Sequence, residues 1–482
     1  MEMSRHSTIS AMMGTCRALC YAPQCSWLLL RNGVALQLDI QITSFLRFML
    51  ANPATRFKHL RALTFANGGF SGEAVDALRI MFAHPLFTID TLVLHDAEAV
   101  LSSGVPMVEG PNDRWTCADA PLFDSFARLT ALKHLTIDEL GVRACTLLKK
   151  LPSSLVFASI EFGSASPRWN RLVGSGNYNP IVTLAHSVDT LEVLKGFPFS
   201  SPLPNVITYN IVYPRVRRLE IGFVEDWMRG VVTYAHAYPN LEHLRIVALA
   251  GHNSSDDYFI TNPFLCAELE RRRQHNKEAQ VSHGSWKSLS VLEGGVSAVY
   301  ALGLACKVSE LRVAGIVEKK TVHYLGGVLS DVQPETLSVT VASGVMFDEG
   351  STISQILAAP YVQCITSLEM DVLFADSEGD YDMEEMTNNI LKSMSGLLSL
   401  RRLILVLDYA FLTSPYDSPE SWSPNSAGSQ TRYYCPAARY LSELDLEAYA
   451  GRFREAIPTL VEVLIWCRDN CTYDEAEAEE TC

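Results

Sequence analysis

The sequence predicts an α/β solenoid, a row of parallel strands backed by helices, and two observations carry that prediction. An apolar triad spaced three and then two residues apart recurs along the 482-residue chain, and segments with a helical apolar period separate successive copies. The clearest copy is Tyr-Pro-Asn-Leu-Glu-His-Leu-Arg-Ile, Tyr238 to Ile246. There Leu241 closes a bend, and Leu244 and Ile246 fall on one side of an extended segment. Tyr213 to Ile221 is its close relative.

In chain order the triads are Leu60/Leu63/Phe65, Ile89/Leu92/Leu94, Leu132/Leu135/Ile137, Phe157/Ile160/Phe162, Val188/Leu191/Val193, Val216/Leu219/Ile221 and Leu241/Leu244/Ile246. Trp286/Leu289/Val291, Val308/Leu311/Val313, Pro334/Leu337/Val339, Ile365/Leu368/Met370, Leu400/Leu403/Leu405 and Leu460/Val463/Ile465 follow. Their middle residues lie mostly about 22 to 35 positions apart, near the 20 to 29 of leucine-rich repeats. Between them Val75, Leu78 and Phe82 share a helical face, as do Val299, Leu302 and Ala305, and Ile353, Ile356 and Leu357. Strands joined by helices of this length run parallel, and right-handed crossovers put every helix on one side. Helices need about twice the spacing of strands, so the expected shape is a horseshoe or arc with the sheet concave and the helices convex. No asparagine recurs at a fixed place after the strands, so the repeat is irregular.

Residues 44–472 are assigned to the array, with insertions at 104–121, 163–180, 251–284 and 414–436. Within the third, Asn262-Pro263 starts a helix whose acids come early and whose bases, Arg271-Arg-Arg with His275 and Lys277, come late. Those bases read as the exposed turns of a solvated helix. Residues 473–482 form an acidic tail, and residues 1–43 a short helical cap over the open first repeat.

In that cap Ile9, Met12, Met13, Cys16 and Leu19 share a helical face before Pro23, and Trp27 follows. Thr-Cys-Arg-Ala-Leu with a Trp about ten residues on resembles the second half of an F-box, in a truncated form. The whole chain is similar in organisation to fungal F-box and leucine-rich-repeat-like proteins. That resemblance implies a substrate receptor of an SCF-type ubiquitin ligase, with Ile9, Met12, Met13, Cys16, Leu19 and Trp27 facing a Skp1-like adaptor. The alternative is a stand-alone leucine-rich-repeat binding protein without that contact, or an enzyme with a pocket in the inserted loops.

Composition narrows the partners. With 48% hydrophobic and 19% charged residues the chain holds enough apolar material for a large core. A formal charge of −15 argues against attraction to nucleic acid or anionic lipid. Twelve cysteines without a Cys-x-x-Cys pair, several in apolar segments (Cys145, Cys306, Cys364), suit a reducing compartment, and no apolar run spans a bilayer. A cytoplasmic or nuclear location is expected.

Catalytic and cofactor signatures are missing: no Gly-x-Ser-x-Gly, His-Glu-x-x-His, phosphate loop or dinucleotide fingerprint occurs. Gly68-Gly-Phe-Ser-Gly72 reads as a strand-to-helix turn with Ser71 as cap. Cys16, Cys20 and Cys25 lack a fourth metal ligand, and the acidic run from Asp376 to Glu385 lacks the spacing of a calcium loop. A non-catalytic scaffold without cofactor or metal is expected. Its recognition surface would be the residues flanking each middle apolar position, which the strand period turns away from the helices. They are His134, Thr136, Arg218, Glu220, His243, Arg245, Glu310, Arg312, Thr336, Ser338, Ser367 and Glu369. Arg218, Glu220, His243, Arg245, Glu310 and Arg312 carry its charge and are the expected partner-binding residues.

Overall fold

The computed structural model describes residues 30, 33–66, 68–103, 122–162, 179–197, 210–223, 230–248, 263–346, 352–374, 382–413 and 436–468. Ile9, Met12, Met13, Cys16, Leu19, Trp27, the acidic tail and nearly all of the predicted insertions at 104–121, 163–180 and 414–436 lie outside them, whereas residues 263–284 of the third insertion are described. The chain divides into two compact units, Met1–Leu241 and Glu242–Cys482.

The first unit is a parallel ladder of β1 (Val34–Leu36), β2 (Ala62–Phe65), β3 (Thr91–Leu94), β4 (His134–Leu140), β5 (Phe157–Phe162), β6 (Val193–Phe197) and β7 (Arg218–Phe223), each hydrogen-bonded to the next in sequence order. The ladder therefore begins inside the stretch assigned to the cap. Its main helices are α1 (Asp39–Ala51), α2 (Gly72–Ala83), α3 (Ala97–Ser102), α4 (Val142–Lys150) and α5 (Val231–Ala237). α1 packs on α2, and α3 on α4. Ser71 starts α2 as expected, its hydroxyl accepting the Ala74 N–H at 3.4 Å, and Ala74, Val75, Leu78 and Met81 are buried.

The second unit repeats the plan with β8 (His243–Ala248), β9 (Ser288–Gly295), β10 (Lys307–Val317), β11 (Thr336–Ala342), β12 (Ser367–Leu373), β13 (Arg402–Asp408) and β14 (Glu462–Arg468), again all parallel. Its helices α6 (Pro263–His283), α7 (Val296–Leu302), α8 (Val322–Val332), α9 (Thr352–Leu357) and α10 (Met383–Met394) pack successively, and α11 (Leu446–Ala456) packs on β14. Asp382, at the end of the acidic run, caps α10 by accepting the Glu384 and Glu385 N–H groups at 3.0 Å. In the second helical set Val299 and Leu302 are buried, but α7 stops at Leu302 and Ala305 is exposed.

Most triads occupy equivalent places: Leu63, Leu92 and Leu135 are register partners, and so are Leu311, Leu337, Leu368, Leu403 and Val463. Three differ. The inward triads are Leu155/Ala158/Ile160 in β5, Leu191/Leu194/Gly196 in β6 and Leu289/Leu292/Gly294 in β9. The expected sets were displaced by two or three residues, which moved Phe157, Val193 and Val291 to the wrong face. The cause is small residues at inward positions, which an apolar pattern does not register. Gly294 is small because a Cβ there would come within 3.0 Å of the Ile246 Cβ and 3.1 Å of its carbonyl oxygen.

α6 is the other departure. Far from being a solvated insertion, it is the crossover helix between β8 and β9, with Leu269, Arg272, Asn276, Ala279 and Gln280 buried along one face. Its bases are engaged: the Arg273 guanidinium lies 4.3 Å from the centre of the Tyr300 ring and donates to Asp331 at 2.9 Å.

Candidate functional site

Each ladder spends one face on its core and leaves the other open. In β11, Leu337, Val339 and Val341 are buried while Thr336, Ser338 and Thr340 between them are partly exposed. The strand period of two produces this split, and the parallel register then aligns the open-face side chains in rows across neighbouring strands.

The sequence-predicted surface residues all lie on these open faces and none is buried. In the first unit Lys195 and Glu220 are register partners in β6 and β7 and form an ion pair at 3.4 Å. His134 stands beside the half-buried Phe157 ring, with 6.2 Å between ring centres. Glu161 shares its end of the face with Asp138 and Glu139, and burial, reinforced by those two acids, pushes its carboxyl above the usual range. Arg218 belongs to this unit, whereas His243 and Arg245 belong to the second.

In the second unit Arg245 donates to Glu293 at 2.9 Å, with the His243 ring 3.9 Å from the same carboxylate. Arg312 binds Glu310 at 2.6 Å. Arg402 and Glu462 face each other across β13 and β14 at 3.0 Å. Pairs this exposed contribute about 0 to 1 kcal/mol each to stability, so a partner can exchange them for its own charges at little cost.

Toward β14 the character changes. One row holds Glu369, Ile404 and Leu464, the next Asp371, Val406 and Trp466, and the next Leu373, Asp408 and Arg468. Ile404 and Val406 are buried although they are on the open side, and Trp466 keeps 49% of its surface exposed. Arg468 reaches Asp408 at 3.3 Å and Asp371 at 3.8 Å. Burial pushes the Asp371 carboxyl up, Arg468 opposes that, and Glu369 and Asp408 add to it. Asp371, Asp408, Trp466 and Arg468 are missed by taking only the two residues that flank each middle apolar position, and Glu293 by the displaced phase of β9, which puts Leu289 in the place of Leu292. Extending the same period two and four residues further along Leu460/Val463/Ile465 would have reached Trp466 and Arg468.

Elsewhere the chemistry is quiet. Burial pushes the Cys145 thiol up, and the Cys306 and Cys467 thiols up to about 11, which favours the protonated form; Cys145 and Cys306 are core side chains. Among the described residues no three His, Cys, Asp or Glu side chains gather as a metal site, and no helix is long and apolar enough to cross a membrane. No protein-family model matches the chain, and no curated protein is significantly similar to it.

Proposed function

We propose that this chain is a non-catalytic protein-recognition scaffold of irregular leucine-rich-repeat type, presenting the open face of its strands to a protein partner. One observation supports the reading above the rest. Strand after strand buries one side and leaves on the other a row of charged and polar side chains that the fold itself barely uses. An extended face of this kind suits a folded protein or a peptide segment better than a small molecule.

The resemblance of residues 7–31 to an F-box extends the proposal to target recruitment for an SCF-type ubiquitin ligase, with Skp1 and a cullin as further partners. Two measurements separate these levels. Partners of the full chain are purified with it and quantified by mass spectrometry, for the parent and for a variant carrying Arg245→Ala and Arg312→Ala. Selective loss of a partner at unchanged melting temperature is expected; identical retention by both would overturn open-face recognition. Retention of Skp1 and cullin, reduced by Trp27→Ala, is the outcome expected of a ligase receptor. If the full chain holds neither, the ligase role fails and recognition stands. Trp27→Ala is a sharper tool than removal of residues 1–43, because that removal would also take away β1.

A further inference from the structure

The corner of the open face formed by β12, β13 and β14 differs from the rest in joining an exposed indole to an excess of acid. Asp371, Val406 and Trp466 are successive register partners. With strands about 4.8 Å apart, the acid and the indole stand about 10 Å from each other at the backbone. Their side chains can approach closer, and an extended arginine or lysine spans the interval. Val406 between them is buried and gives the row an apolar floor between the acid and the indole.

The charges do not balance. Glu369, Asp371, Asp408 and Glu462 share these three strands with Arg402 and Arg468, two more acids than bases, and Arg312, on the row of Glu369 two strands away, is bound to Glu310 at 2.6 Å. Arg402 is matched to Glu462 at 3.0 Å. That leaves one guanidinium, Arg468, shared between Asp408 at 3.3 Å and Asp371 at 3.8 Å, with Glu369 exposed on the adjoining row. A second cation would lower the energy of this cluster; an anion would be repelled by it. The face of an indole is the best aromatic surface for such a cation, and Trp and Arg are the residue types on which binding energy concentrates.

We propose that this corner docks a peptide segment of a partner protein through an arginine or lysine, its cation set over Trp466 and against Asp371 and Glu369. The proposal rests on the open face being a recognition surface and names the chemistry of what it recognises. The same excess of acid disfavours nucleic acid and acidic peptides.

The test uses the full chain. Short random peptides displayed on phage are selected on it, and the recovered sequences are synthesised and titrated by fluorescence anisotropy. Enrichment in arginine or lysine is expected. Trp466→Ala should weaken binding about tenfold and Glu369→Gln about threefold, while Arg245→Ala should change it by less than about twofold. Both substituted side chains are solvent-accessible, and Glu369→Gln alters only the charge at an exposed position, so loss of binding there is not loss of fold. Recovery of peptides without basic residues overturns the proposal, as does binding indifferent to Trp466→Ala; either leaves recognition elsewhere on the open face intact. Retention of no peptide also overturns it, and the co-purification with the Arg245/Arg312 variant then judges the broader reading independently.

Discussion

Two helices of similar role are held to the molecule by opposite means. α2 in the first unit buries Val75, Leu78, Met81 and Phe82 in an apolar core. α6 in the second unit buries Arg272, Asn276 and Gln280 beside Leu269 and Ala279, and those amides meet backbone groups of the next helix. The Asn276 amide donates to the Ala301 carbonyl at 2.9 Å and the Gln280 amide to the Gly303 carbonyl at 2.8 Å, while Gln280 accepts the Ala305 N–H at 3.0 Å. Those groups lie at the C-terminal end of α7, where carbonyls lack intrahelical partners. Arg273 and Lys277 both reach Asp331 of α8, Lys277 at 2.5 Å. One helix is fixed by excluded water and the other by satisfied polar groups. The first attachment is non-directional and tolerant; the second depends on each partner being in place.

The contrast can be broken from either side, and the largest effect should come from the apolar one. Leu78 is 1% exposed, and Leu78→Ala leaves a cavity under α2 that should cost about 3 kcal/mol in chemical denaturation. A cost below about 1 kcal/mol would mean that α2 is held by something other than its apolar face. On the polar side, Asp331→Ala strands Arg273 and Lys277 together. The three side chains are 10%, 16% and 33% exposed, so screening reduces the penalty of a fully buried pair to roughly 2 kcal/mol. A double-mutant cycle of Asp331→Ala with Arg273→Ala should show coupling, and strict additivity would reduce the pair to bystanders.

The same contrast explains what the sequence disclosed. α2 was legible because Val75, Leu78 and Phe82 write the helical period in apolar letters. α6 has that period too, in Leu269, Arg272, Asn276 and Gln280, but in residue types an apolar template reads as solvated, so its docking was invisible. The strands tell a parallel story. Leu63, Leu92, Leu135, Leu244, Leu311, Leu337, Leu368 and Leu403 fix the phase of most of both ladders, and with it the open-face positions of Arg245, Glu310 and Arg312. Ala158, Gly196 and Gly294 hide the phase of β5, β6 and β9, because a small inward residue leaves no strong apolar mark; at Gly294 the closeness of Ile246 demands it. Trp466 needed only a longer use of the period. That Val406 and Ile404 are buried on the open side follows from tertiary packing, which no strand period contains.

Polar attachment also occurs in the first unit, with a charge in place of an amide. Glu98 of α3 accepts the Ala144 N–H at 2.8 Å, at the start of α4, so one helix caps the next as Gln280 does for α7. Burial pushes the Glu98 carboxyl above its ordinary range, against the backbone hydrogen bonds and Arg143, which favour the anion. The folded chain therefore binds more protons than the unfolded one between the ordinary carboxyl value and the raised one, and stability from this group falls as pH rises through that window. Gln280 carries no such dependence. Glu98→Gln keeps an oxygen acceptor for Ala144 and removes the buried charge, so the variant should gain on the parent as pH rises from about 4 to about 7, by less than about 1 kcal/mol. Chemical denaturation across that range checks it. A difference independent of pH would show that the capping bond alone sets the contribution of Glu98, and that charged and neutral attachment of these helices are equivalent.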